Sequence, residues 1–280
     1  MELGLIGYPV QGSLSPWIHH QFLDQLNMTG SYELYEIAPD QFEEQISDFK
    51  RKNLNGFNVT IPYKQRIIPY LDALSDSARA IGAVNTVVCH NGKWTGYNTD
   101  GFGLTAALEE RFDDLFYKDK HALILGAGGA SRGIYYSLLQ AGFNTVDISN
   151  RTYEKAVELT GLNNSDTITS PMTFDEAEQK INHYDLIVQT TSVGMTPNEK
   201  AQVIDLEKIK KGAVVSDIVY KPFWTQLLKQ AYQKRARVHH GHEMLLYQAK
   251  LAFEHFTGQS VDAKGILGDF EKMIKSKNEG

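Results

Sequence analysis

Short apolar runs alternate with stretches of helical periodicity along most of this chain. Leu3 to Ile6 reads as a strand closed by Gly7-Tyr8-Pro9, and Trp17, Ile18, Phe22, Leu23 and Leu26 then recur at the spacing of one helix face. That helix is predicted to start near Ser15-Pro16, because proline at the first helical position gives up no hydrogen bond. Tyr32 to Ala38 follows as a strand, and Asp40 opens a helix whose Phe42, Ile46 and Phe49 share a face. Gly56 to Ile61 reads as a third strand, stopped by Pro62. Ala83 to Val88 and Lys93 to Tyr97 flank Asn91-Gly92, a turn pair that accepts positive φ at both central positions, so this segment reads as a hairpin. Gly101 to Phe112 is predicted helical, and strands are predicted at 121–125, 144–149, 185–190 and 213–218 with helices between them. Residues 163–173, dominated by Ser, Asn, Asp and Thr, read as a loop with at most one short strand. Helices over 226–237, 243–256 and 266–274 complete the pattern.

Strand and helix in alternation imply an α/β fold whose largely parallel sheets are covered on both faces. At 280 residues the chain has room for two domains. The first is expected over 1–103, completed by helices within 239–280, and the second over 104–238. Composition narrows the function classes. With 28 basic and 34 acidic residues the net charge is −6, which speaks against binding to nucleic acid or acidic membranes. No apolar run approaches the roughly 20 residues of a membrane helix. The N-terminus has no basic segment leading into an apolar one, and the single Cys89 fits a reducing cytoplasm, where the protein is expected. Cys89 itself is expected to be a buried strand residue rather than a nucleophile.

The first chemistry-bearing stretch is HALILGAGGASR, His121 to Arg132. A strand, a glycine turn and a helix start together present unpaired backbone N–H groups and a positive helix end to a phosphate. Gly126, Ala127, Gly128, Gly129 and Ala130 are the candidate pyrophosphate cradle, although such turns also occur as plain connections. Ser131 stands where the dinucleotide fingerprint has Gly or Ala. Some 20 residues on, the strand Thr145 to Ser149 ends in Asn150-Arg151-Thr152, with a guanidinium where an NAD site has a carboxylate. Arg binds phosphate through planar, charge-assisted bonds, so NADP (NADPH) is favoured over NAD.

Three polar clusters interrupt the first domain's apolar pattern. Ser13, Leu14 and Ser15 precede a helix and could hold a carboxylate on hydroxyl and N–H groups, or could simply form a turn and a cap. Asn58 and Thr60 lie two apart on one strand face, with Lys64 just past its carboxyl end, where open α/β sheets bind ligands. Lys64 alone would pass for a surface residue. Asn85-Thr86 and Asn98-Thr99-Asp100 form the third cluster, in which Asp100 is either a helix cap or a partner for a cation such as Lys64. A Lys/Asp pair could pass a proton to a carbonyl oxygen as hydride arrives from a nicotinamide.

Taken together, GSLSP (12–16), GFNVTIPYK (56–64), IGAVNT (81–86), GYNTDGFG (96–103), GAGGASR (126–132), NRT (150–152), TTSVGM (190–195), DIVYKPFWTQLL (217–228) and GHEMLLYQ (241–248) resemble, in order, the motifs of the shikimate dehydrogenase family. That resemblance implies NADP-linked, reversible reduction of 3-dehydroshikimate to shikimate on the way to chorismate. It implies a mostly parallel α/β substrate domain, a Rossmann-type NADP domain, and an active site in the cleft between them. It further implies Lys64 and Asp100 as acid/base dyad, and Ser13 and Ser15 as carboxylate binders helped by Leu14, Thr60 and Tyr220. Asn85 and Gln248, with Asp100, would contact the ring hydroxyls. Asn150, Arg151 and Thr152 would meet the 2′-phosphate, and Ile218 and Gly241 the nicotinamide end. Gln248 has support of its own, since a polar residue at the edge of the apolar stripe Leu245, Ala249, Ala252, Phe256 needs a partner or a ligand.

Three positions depart from the family pattern: Gly12 and His20 stand where His and Asn are common, and Lys221 precedes Pro222 in place of Asn. His239, His240 and His242 cluster without a metal-ligand spacing, so a loop near the active site is expected there and no metal. The expected partners are small molecules, shikimate and 3-dehydroshikimate, bound by a monomer or homodimer. Two alternatives remain: a relative that oxidises quinate with NAD, and a non-catalytic NADP sensor on the same fold. Ser13 and Arg151 argue against the first, and the intact Lys64 and Asp100 against the second.

Overall fold

The computed structural model describes residues 1–117, 119–163 and 165–278. Asn164 of the predicted loop, Lys118 and the last two residues lie outside the described residues. The chain divides into one compact unit of Met1–Thr99 with Leu246–Gly268 and a second of Asp100–Leu245 with Asp269–Gly280.

The first unit runs β1(Glu2–Gly7), α1(Ser15–Gln25), β2(Ser31–Glu36), α2(Phe42–Phe49), β3(Gly56–Val59), β4(Ala73–Leu74), α3(Asp76–Ile81), β5(Thr86–His90) and β6(Lys93–Tyr97). The sheet order is β2-β1-β3-β5-β6-β4. β1 pairs parallel with β2 and β3, and β5 pairs antiparallel with β3 and β6 through the Asn91-Gly92 turn, where both residues have positive φ. Ile6, Phe57, Val59 and Val87 meet Phe42, Ile46 and Phe49 of α2 and Tyr63 in one buried cluster, which is why that helix has a single apolar face. β3 is buried along its whole length.

The second unit begins with α4(Asp100–Arg111) and continues β7(His121–Leu125), α5(Gly129–Gln140), β8(Thr145–Ser149), α6(Tyr153–Thr160), β9(Pro171–Met172), α7(Phe174–Gln179), β10(Leu186–Gln189), β11(Val214–Asp217), α8(Gln226–Gln233) and β12(Arg237–His240). Two further helices, α9(Gly241–Thr257) and α10(Ala263–Asn278), have residues in both units. The sheet is parallel throughout, in the order β12-β11-β10-β7-β8-β9. Alternate strand residues feed opposite cores. Ala122, Ile124, Val146, Ile148 and Val188 pack with α4 and α5, whereas Leu123, Leu125, Ile187 and Val215 pack with α7 and α8. This two-sided burial makes the strands read as continuous apolar runs.

Three sequence expectations need correction. The helix predicted over 226–237 stops at Gln233, and Arg235 has φ 60°, turning the chain so that Arg237–His240 joins the sheet edge parallel to β11. His239 and His240 are therefore buried strand residues, and not part of a loop. Cys89 is half-buried in β5, not buried. β4 and α3 were not predicted; α3 is only six residues long, capped by Ser75, whose hydroxyl accepts from the Ala78 N–H, and ended by Gly82 at φ 70°. Among the described residues no helix is long and apolar enough to cross a membrane.

Candidate active site

In the second unit, β7 ends at Gly126, whose φ of 116° favours glycine and whose Cβ would lie 2.6 Å from Thr190 Oγ1. Gly128 and Gly129 face open space, so the backbone entering α5 is approachable from outside. Ser131 is fully buried and does not face that space. Its hydroxyl accepts from the Gly128 N–H at 3.0 Å and bonds Thr190 Oγ1 at 2.7 Å, and Thr190 in turn donates to the Leu125 carbonyl at 2.8 Å. The departure from the glycine fingerprint is thus a hydroxyl that stitches the turn to the end of β7 and to the segment after β10.

A cavity of about 490 Å³ opens over this turn, lined by Gly126, Ala127, Gly128, the Asn150-Arg151-Thr152 segment, Lys155, Phe174 and residues 190–193. Gly129 and Ala130, the first residues of α5, lie outside that lining. Asn150 accepts from the Ala127 N–H at 3.2 Å and donates to the Thr152 carbonyl at 2.8 Å, bracing the glycine turn against the start of α6. Arg151 and Lys155 are exposed beside the cavity, and among the described residues no carboxylate lines it. The one acid on β8, Asp147, is occupied elsewhere: it accepts from the Ser170 N–H and from the Tyr184 hydroxyl, both at 2.8 Å. Sequence analysis missed Lys155. Its signal is its place in the first turn of α6, directly after Asn150-Arg151-Thr152.

Asp217, at the end of β11, is fully buried and accepts from the Val219 N–H at 3.0 Å, Thr225 Oγ1 at 2.7 Å and Gln189 Nε2 at 3.3 Å. Burial without a counter-charge pushes its carboxyl up to about 7. These bonds shape the loop carrying Ile218 and the half-buried Tyr220, whose phenol burial also pushes up. Gly241 opens α9 hard against that loop: a Cβ there would fall 2.4 Å from the Ile218 carbonyl oxygen. Ile218 and Gly241 are therefore neighbours, held by backbone contact that only glycine permits.

Most of the remaining candidate residues lie in the first unit. Ser15 is the first residue of α1 and not its cap; the preceding Leu14 takes the cap position without a side-chain bond. Ser13 Oγ accepts from the Ser15 N–H and donates to Ser15 Oγ, each at 3.2 Å. Thr60 follows β3 directly, its N–H bonded to Ile6. Lys64 is half-buried, and its carbonyl receives the Val84 N–H at 2.7 Å, which ties it to the residue before Asn85. Asn85, 2% exposed, donates to Thr99 Oγ1 at 2.9 Å and to Gln248 Oε1 at 3.3 Å, and accepts from the Thr99 N–H and Thr86 hydroxyl. Gln248 thus has the partner its place on α9 demands, 163 residues away in sequence. Asn58 donates to the Asn85 carbonyl and to Thr86 Oγ1, both at 3.1 Å. Asp100, buried as the first residue of α4, belongs to the second unit and Lys64 to the first. Of the departures, Gly12 faces open space, His20 is exposed with Nδ1 2.6 Å from the Pro16 carbonyl, and Lys221 is exposed.

An α/β chain with a parallel second sheet, a glycine-rich turn and a cation-flanked cavity is a dinucleotide-binding protein by class of fold. The chain matches the shikimate dehydrogenase substrate binding domain over residues 5–87, shikimate / quinate 5-dehydrogenase over 107–220 and the shikimate 5'-dehydrogenase C-terminal domain over 241–267. It is 45% identical to a shikimate dehydrogenase (NADP(+)) of Oceanobacillus iheyensis across 99% of both chains. The shikimate 5-dehydrogenase of Thermus thermophilus, solved with NADP(H) and shikimate, superposes with a TM-score of 0.86 at 32% identity, over 97% of this chain and 99% of that one. A quinate dehydrogenase of Corynebacterium glutamicum, solved with NAD, superposes with a TM-score of 0.88 at 28% identity, over 97% and 99%. The chain belongs to the shikimate dehydrogenase family.

Proposed function

We propose that this protein is an NADP-dependent oxidoreductase acting on a CH–OH group, which interconverts shikimate and 3-dehydroshikimate in the biosynthesis of chorismate and the aromatic amino acids. The observation that carries this reading is the 45% identity to a shikimate dehydrogenase (NADP(+)) along 99% of both chains. Bound NADP would supply the hydride acceptor. Gly126, Ala127 and Gly128, with Gly129 and Ala130 at the start of α5, would hold its pyrophosphate on backbone N–H groups. Asn150, Arg151, Thr152 and Lys155 would take the 2′-phosphate, and Ile218 and Gly241 would flank the nicotinamide.

Ser13 and Ser15, beside Leu14, would hold the substrate carboxylate with help from Thr60 and Tyr220, while Asn85 and Gln248 fix the ring hydroxyls. Lys64 and Asp100 would form the acid/base pair, taking the proton from the reacting hydroxyl during oxidation and returning it to the carbonyl oxygen during reduction. We read residues 1–103 with the C-terminal helices as the substrate domain and 104–238 as the NADP domain. The protein would act in the cytoplasm, as a monomer or homodimer.

The kinship with an NAD-bound quinate dehydrogenase keeps one competing assignment in view. The cavity argues against it: it holds two cations and no carboxylate to take a free ribose hydroxyl pair. Rates for shikimate and quinate, each with NADP and NAD, separate the two. Shikimate with NADP should be the best pair, and a preference for quinate with NAD would sink the proposal. In the same assay, Arg151→Ala should raise KM for NADP about tenfold to a hundredfold by removing charge-assisted bonds to phosphate, with little change for NAD. Equal losses with both cofactors would mean that Arg151 acts on something other than the 2′-phosphate.

A further inference from the structure

A fully buried amide at the end of β10 has no part in the proposed chemistry. Gln189 closes a strand whose other members, Leu186, Ile187 and Val188, are apolar, and it is 0% exposed. An amide is costly to bury unless its groups are hydrogen-bonded, and here they are. Oε1 accepts from the Thr191 N–H. Nε2 donates to the Thr191 and Val193 carbonyl oxygens, both at 3.1 Å, and to Asp217 Oδ1 at 3.3 Å. Only one orientation of the amide satisfies these partners, because a backbone N–H only donates and a carbonyl only accepts. Asp217 is fixed in the same way. Its Oδ1 faces the N–H groups of Val219 and Gln189, so that oxygen accepts from both whether or not the carboxyl is protonated.

These bonds join two segments that leave neighbouring strands. Residues 190–193 follow β10 and line the cofactor cavity, and residues 218–220 follow β11 and carry Ile218 and Tyr220. Backbone bonds link the segments at two points: the Ile218 N–H donates to the Gln189 carbonyl and the Thr196 N–H to the Lys221 carbonyl, each at 3.1 Å. Between those points Gln189 and Asp217 tie them side chain to side chain. The same Gln189 amide curls the first segment around itself, with the Val193 N–H bonded to Thr191 Oγ1 at 3.1 Å. Packing alone would be served by Leu or Met in this apolar strand.

We infer that Gln189 is a positioning residue for hydride transfer, which acts through Asp217 to hold the cavity-lining segment 190–193 in fixed relation to the segment carrying Ile218 and Tyr220. The inference rests on the proposed function, in which the cofactor lies against the first segment and its nicotinamide beside the second. Reaction rate is steep in alignment, and a misplacement of about 1 Å can cost on the order of a hundredfold. Thr190 is held independently of Gln189, by the Leu125 carbonyl and the Ser131 hydroxyl. Losing the amide therefore costs alignment more than binding.

The test uses Gln189→Met, which keeps the length of the side chain and removes its hydrogen bonds. Turnover is expressed per NADPH-binding site, so that any misfolded fraction drops out. Gln189→Met should lower kcat for shikimate about tenfold or more, with KM for NADP within about threefold. Asp217→Leu should do the same, and Asp217→Asn, which retains the accepting oxygen, should restore most of the loss. Unchanged kcat per site in Gln189→Met would overturn the inference, as would Asp217→Asn as slow as Asp217→Leu. A second measurement needs no catalysis: hydrogen exchange with and without 2′-phospho-ADP-ribose, which is NADP lacking its nicotinamide ring. This ligand should slow exchange over both 190–196 and 218–225 in the wild type, and over 190–196 alone in Gln189→Met. Protection confined to 190–196 in the wild type would overturn the inference without any variant, and so would protection of both segments in Gln189→Met. Wild-type protein that protects both segments but leaves shikimate unoxidised would instead sink the proposed function, with the link between the segments still standing.

Discussion

Replacing Lys64 with alanine is expected to lower kcat for shikimate by at least about a hundredfold while leaving shikimate binding mostly intact. Hydride transfer moves no proton by itself: the oxygen of the reacting carbon must lose one during oxidation and regain one during reduction. A positioned acid or base is worth on the order of 100-fold to 10,000-fold in such a step. Lys64 has the placement for it. The residue is half-buried, and its backbone is clipped to Val84 beside Asn85, so its side chain starts from a fixed point next to the amide proposed to contact the ring. The split between the constants carries the information. A fall in kcat with little change in KM assigns the side chain to the transition state; a rise in KM alone would make Lys64 a binding residue; unchanged turnover would move the proton to another group.

Gly101→Ala is expected to destabilise the protein by about 3 kcal/mol, the upper part of the range for overpacking a core. The added Cβ would lie 1.9 Å from the Gly133 carbonyl oxygen, 2.3 Å from its carbon and 2.8 Å from the Ile134 nitrogen. All three are backbone atoms of α5, so no side chain can rotate aside, and α4 and α5 must separate. Leu104 and Leu108 on α4 and Ile134 and Leu138 on α5 belong to the core that this separation would open. Asp100, proposed above as half of the acid/base pair, directly precedes Gly101, so turnover should fall along with stability. Urea unfolding should show a lower midpoint at an unchanged slope. An unmoved midpoint would show that α4 can shift on α5 without cost.

How much of this was legible in the sequence follows from where each partner lies along the chain. The parallel second sheet was visible because strands buried on both faces are apolar throughout, and the glycine turn because its spacing is local. β12 was missed for the opposite reason. A four-residue strand holding Arg237, His239 and His240 has no apolar run, and it exists because β11 offers it an edge. The role of Ser131 depends on Thr190, 59 residues on, and that of Asn58 on Tyr32, two strands away in the sheet, and on Asn85. Such bonds leave no periodic trace. Gln248 was an intermediate case: its need for a partner could be read from the apolar stripe it borders, but Asn85 as that partner could not.

The residues of the proposed site were identified through a family resemblance spread over nine motifs, and their individual roles are open to the variants described above. The central claim is simpler than any of them. Purified protein mixed with NADP should form NADPH when shikimate is added, at a rate proportional to enzyme and reversed by 3-dehydroshikimate with NADPH. No shikimate-dependent NADPH, from protein that is folded and binds NADP, would contradict it.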